Sequence, residues 1–155
     1  MLSVRPVQLI EGHAEELTRG LLDDLQSNRR TPAYHSLPRE ELRHRVYNVY
    51  RNLGRCLGEK TDEMIKAMYT ELGKRRCHEG IPINEVVYAL ILIKYHLRDY
   101  IHSSGLVDSA VDLYQEQQLQ RSLGQFFDKA IYYTVRGYEG AMAPSRTASP
   151  AVAAH

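Results

Sequence analysis

The chain predicts an all-α fold of about five helices, in a helical bundle or a globin-like packing. Three observations lead there. Apolar residues recur at three- and four-residue spacing along most of the chain, no segment has the alternation of a strand, and Gly- or Pro-marked turns separate the periodic stretches. At 155 residues it makes one domain with a real core, and 43% hydrophobic with 25% charged residues is an ordinary globular composition.

Leu9, Ile10, Ala14, Leu17, Leu21 and Leu25 form one face of a first helix that stops near Asn28. Arg29-Arg30-Thr31-Pro32 reads as a polar connection, because proline disfavours helix for the residue before it. Ser36 and Pro38 open a second helix, with Glu40 and Glu41 in the first turn where acids suit the helix dipole. Its stripe is Leu42, Val46, Val49, Tyr50, Leu53 and Leu57, and Gly58 ends it. Thr61 caps a third helix carrying Met64, Ile65, Met68 and Leu72.

That third helix runs into Gly80, and Pro82 opens a fourth. Glycine just past a helix end can take the left-handed conformation that caps it, and proline fits a first turn where no N–H is needed. An antiparallel helix pair is expected. The fourth helix, Pro82–Ser103, is apolar nearly all round from Val86 to Ile93 and should be the most buried. After a break at Ser103-Ser104-Gly105, a fifth helix spans Asp108–Glu139, with Gly124 a possible bend. The domain is thus residues 1–139; residues 140–155 are small, polar and Pro-containing, the composition of a disordered tail.

Charge and composition narrow the function classes. Formal net charge is +1, so no global field draws the chain to nucleic acid or an anionic membrane. The longest apolar run, Val86–Ile93, is eight residues, far below the ~20 that span a bilayer. Cys56 and Cys77 are too few for a disulfide framework, and no signal peptide is visible. The expectation is a cytoplasmic protein with reduced thiols.

Four constellations invite chemistry. Glu41-x-x-His44 puts a carboxylate and an imidazole on one helical face, as di-iron bundles do twice over; here it occurs once, and a solvated polar face explains it better. His96, Asp99 and His102 could hold a metal, but steps of three do not bring all three to one point, and the dipole alone favours histidine at a helix C-terminus. His96, beside the apolar run, is the best-placed proximal haem ligand if the packing is globin-like. Lys74-Arg75-Arg76-Cys77-His78 could activate Cys77, although cations at a helix end need no function. No cofactor and no metal are therefore expected, and no nucleophile–base pair supports an enzyme.

The fifth helix, about 32 residues long, outreaches helices of about 20 residues, so its projecting part would expose Phe126, Phe127, Ile131, Tyr132 and Tyr133. A homodimer through that face is expected, the rival being a bend at Gly124 that folds these residues onto their own core.

Three segments carry a family likeness: S-L-P-R-E-E-L at Ser36–Leu42, R-R-x-x-E-G-I-P-I-x-E-V at Arg75–Val86, and FFDKAIYYTVRGYE at Phe126–Glu139. Over about residues 9–138 the chain resembles the N-terminal helical domain of RsbRD-type RsbT co-antagonist proteins, which belong to bacterial stress-signalling assemblies. The resemblance implies a non-enzymatic sensory or regulatory domain whose partners are other signalling proteins. It supplies no catalytic motif. Such domains usually precede an output domain, for instance of the sulfate-transporter/anti-sigma-antagonist type; none follows here, so a stand-alone regulator is expected. The alternative is a small-ligand- or haem-binding sensor of globin type.

Overall fold

A computed structural model describes residues 8, 10–51, 57, 62–103 and 110–153, with side-chain surroundings in the last helix from 113 to 142. Leu9, Leu53, Cys56, the Gly58 stop, the Thr61 cap and the break at Ser104 and Gly105 lie outside the described residues. The described residues are mostly helical, with no strand among them. The helices are α1 (Ala14–Leu25), α2 (Pro32–His35), α3 (Arg39–Arg51), α4 (Asp62–His78), α5 (Ile83–Ser103) and α6 (Ala110–Ala153).

This exceeds the five helices expected, and α2 is one reason. Pro32 sits in the first turn of α2, where its fixed φ suits a helix start. The Thr31 hydroxyl donates to the Leu25 carbonyl at 2.8 Å, and the Ala33 N–H donates to the Glu85 carboxylate of α5 at 2.7 Å. A carboxylate from another helix thus satisfies a donor that four residues of helix cannot satisfy themselves.

The α4–α5 turn follows the local rules. Gly80 has φ 76°, the Ile81 N–H donates to the Arg76 carbonyl at 3.2 Å, and the Gly80 N–H donates to the Cys77 carbonyl at 3.0 Å. These two bonds around a left-handed glycine make a Schellman cap. From α6 the Tyr138 hydroxyl donates to the Ile81 carbonyl at 2.6 Å, tying the turn to the last helix.

Helices α4 and α5 do not form the expected close pair. Each packs mainly elsewhere, α4 on α6 and α5 on both α1 and α6. The α4–α6 contact is extensive because both helices thin to backbone where they meet. Gly73 lies against Thr134 and Tyr138, and Gly137 lies against the carbonyl of Thr70, so neither position has room for a Cβ. Only glycine at both allows that approach.

This packing corrects the expected exposure on the last helix. Phe126 and Phe127 are buried within the chain, with Phe126 meeting the Tyr69 ring edge-on at 5.7 Å and the Phe127 ring at 4.9 Å. Helix α4 covers them. Ile131 and Tyr133 are half-buried, and of the five only Tyr132 is well exposed. Helix α6 is continuous through Gly124 and extends past Gly140 to Ala153. Among the described residues no helix is long and apolar enough to cross a membrane.

Candidate functional site

Because α4 and α5 separate, a cleft of about 720 Å³ opens between them and α3. Each wall is one helical stripe. Helix α3 contributes Leu42, Val46 and Val49; α4 contributes Ala67, Met68 and Leu72; α5 contributes Val86, Ala89, Leu90 and Ile93. The apolar run of α5 is therefore shared between packing and the cleft rather than spent wholly on neighbouring helices.

A chain of charges borders the cleft. Arg45 Nη2 lies 2.6 Å from Glu41 Oε1 and 2.7 Å from Glu79 Oε2. Glu79 Oε1 accepts from Arg45 Nη1 at 3.2 Å and from Arg76 Nη1, also at 3.2 Å, so one oxygen serves two guanidiniums. Arg76 is only 6% exposed. Burial, with the nearby Arg45 charge, lowers its pKa from the usual arginine value, offset in part by Glu79. Burial pushes Glu79 up, yet its bonds to Arg45 and its closeness to Arg76 outweigh this and hold it low. The buried Tyr34 hydroxyl, in hydrogen-bond contact with Arg76, is pushed up to about 12 by burial despite that cation. It stays a neutral donor at physiological pH. Tyr34 is placed by α2, whose Ala33 N–H is held by Glu85; the Tyr34 carbonyl and, just past the helix, the Leu37 carbonyl accept from Gln26 Nε2 at 3.4 and 3.1 Å.

By sequence, Arg76 belongs to a basic cluster at the end of a helix. Lys74 and Arg75 are exposed, but Arg76 turns inward. The signal was present: Ile65, Tyr69, Leu72 and Arg76 recur at steps of four, three and four, which puts the arginine on the apolar face. Cys77 is free and half-buried against the core.

The other candidate residues are dispersed. His96 does not emerge into an apolar haem pocket; its Nε2 lies 2.9 Å from Asp24 Oδ2 of α1. That pairing, between residues 72 apart in sequence, engages a half-buried histidine with a carboxylate. Asp99 and His102 are exposed, and the His102 side chain is 84% exposed with Nδ1 3.8 Å from Glu116 Oε2. The trio does not converge, because its three side chains fan around the helix. Among the described residues no group of three or more His, Cys, Asp or Glu is arranged to hold a metal. Glu41 is engaged by Arg45, while His44 sits exposed at the cleft rim with Nε2 3.4 Å from Asn48 Nδ2.

The Asp24–His96 pair makes a pH prediction. Burial raises the Asp24 pKa, but its bonds to Asn28 and His96 outweigh that, leaving it below the ordinary 3.8. A folded-state carboxyl lowered in this way adds stability that is whole above pH 3.8 and is lost as pH falls below it. Asp24→Asn should therefore lower the urea midpoint at neutral pH and flatten its decline in acid. An acid limb identical to wild type would contradict the pairing.

No curated protein and no solved structure matches the chain. A family does match, over residues 14–144, which span α1 through most of α6 and include every wall of the cleft. This chain belongs to the RsbT co-antagonist protein rsbRD N-terminal domain family.

Proposed function

We propose that the domain is a non-enzymatic input module of a stress-signalling assembly, cytoplasmic, and acting through contacts with other signalling proteins. The family match over residues 14–144 carries this reading. The cleft is consistent with it. Its polar lining is weighted toward guanidiniums, with Arg45, Arg75 and Arg76 beside His44, Asn48, Glu71 and the Tyr34 hydroxyl, a set suited to binding charge.

We also propose self-association through the outer face of α6, now narrowed to Tyr132 with its half-buried neighbours Ile131 and Tyr133. Tyr132 packs edge-on against Tyr133 at 5.2 Å and accepts from Arg136 Nη1 at 3.2 Å, so an exposed aromatic is already held in one orientation. Such a preset ring loses little freedom when a partner covers it.

The experiment is size-exclusion chromatography with light scattering, on the chain alone and mixed with a purified sulfate-transporter/anti-sigma-antagonist domain. The expected result is a mass above the 17.8 kDa of one chain in the first case and a mixed complex in the second. Tyr132→Glu should reduce self-association without altering the melting curve. A strict 17.8 kDa monomer at tens of micromolar rejects the dimer, and absence of a mixed complex rejects this class of partner.

A further inference from the structure

The α3–α4–α5 cleft has properties that a protein-contact role neither uses nor explains. Its volume, about 720 Å³, is within the range of small-molecule sites, and its walls are apolar side chains of three helices. Leu42 and Val46 on α3 and Val86 and Leu90 on α5 are each no more than 5% exposed, whereas Met68 on the α4 wall is 42% exposed, so the cleft opens to solvent along α4. The charged residues that line it are unbalanced: Arg45, Arg75 and Arg76 against Glu71. Arg45 is held by Glu41 at 2.6 Å and by Glu79 Oε2 at 2.7 Å, which leaves Arg76 a share of Glu79 Oε1 at 3.2 Å. Arg76 is thus a nearly buried guanidinium with one long, shared carboxylate contact and the Tyr34 hydroxyl beside it. A guanidinium presents five donors in a planar fork that matches a carboxylate.

We propose that the cleft binds a linear monocarboxylic acid of medium chain length, its carboxylate on Arg76 and Tyr34 and its chain along the walls of α3, α4 and α5. A single carboxylate suits the charge, because Glu79 already neutralises part of the cluster. A linear alkyl chain suits the walls, which offer helix side chains and no free backbone edge to an extended peptide. A helix-end arginine that merely anchored Glu79 would have no need of an apolar, cation-bordered groove beside it. The inference stands independently of the partner proposed above.

The test is isothermal titration of the full chain with dodecanoate below its micellar concentration. Octanoate, decanoate and dodecyltrimethylammonium serve as companions. Saturable one-to-one binding is expected, about fourfold tighter for each added methylene. The cationic amphiphile should not bind. Arg76→Met should weaken dodecanoate binding by about tenfold to a hundredfold, as loss of a charge-assisted hydrogen bond implies. Should that variant fail to fold, Ala67→Trp provides a second route. It fills the cleft from an exposed position on α4, so binding should vanish while the melting curve is retained. No saturable heat with dodecanoate overturns the proposal. So does equal binding of the cationic amphiphile, undiminished binding in Ala67→Trp, or binding to phosphatidylglycerol vesicles with none to free dodecanoate.

Discussion

Gly73→Val is expected to unfold the domain or nearly so. A Cβ at position 73 would strike the carbonyl oxygen of Thr134 and stand 2.7 Å from the Tyr138 nitrogen, both of them backbone atoms of α6. Backbone in a helix cannot step aside as a side-chain end can, so α6 would have to move as a body. Overpacking usually costs about 1–3 kcal/mol even where side chains give way. Here it should exceed about 3 kcal/mol, a large part of the roughly 5–15 kcal/mol that holds a domain folded. The better helix propensity of a residue other than glycine returns at most about 1 kcal/mol. Gly124 provides the control, since a Cβ there meets nothing within 4 Å. Gly124→Ala should be neutral or stabilising by up to about 1 kcal/mol in urea denaturation. Equal effects at the two glycines would sink the account of the crossing.

The second large effect is expected at Phe127, which is 0% exposed. Phe127→Glu removes a core ring, worth about 3–5 kcal/mol, and leaves a carboxylate in an apolar site with no designed partner. The sum approaches the whole stability of a domain, so circular dichroism should show an unfolded or molten chain at room temperature. Tyr132→Glu, five positions on and 55% exposed, should leave the melt within about 0.5 kcal/mol of wild type. A folded but dissociated Phe127→Glu protein would instead return Phe127 to an interface between copies.

These two positions show how far the sequence could be read. The stripe Leu119, Leu123, Phe126, Phe127 and Ala130 marks a buried face by spacing alone, and it is buried. What covers it could not be read that way. The expectation of a projecting helix compared helix lengths, whereas cover depends on where α4 lies. Gly73 and Gly137 have the opposite history. A glycine within a helix reads locally as a weakness, and its purpose emerges only when a second helix, 64 residues away in sequence, brings its own glycine to the same crossing.

The candidate site divides along the same line. Leu42 and Val46 on α3 and the apolar run on α5 were legible as periodic apolar positions, yet periodicity does not distinguish a face that meets a helix from one that borders a cleft. Arg76 lay on an apolar stripe, but the helix dipole gave a sufficient reason for a cation at that end, and the burial went unseen. His96 was legible as a histidine near a helix C-terminus beside the apolar run; the carboxylate it pairs with belongs to Asp24 on α1.

The sequence by itself determined the all-helical class, the faces of the helices, the Gly80 cap before α5 and the likeness to one signalling family. Each of these rests on interactions within a few residues, where backbone hydrogen bonding and the 3.6-residue turn leave little choice. The tertiary structure alone decided the glycine crossing of α4 and α6, the separation of α4 from α5, and the inward turn of Arg76 beside the cleft that results. Those depend on which helical faces find each other between segments distant in sequence, and that selection is made by the packing of the whole core at once.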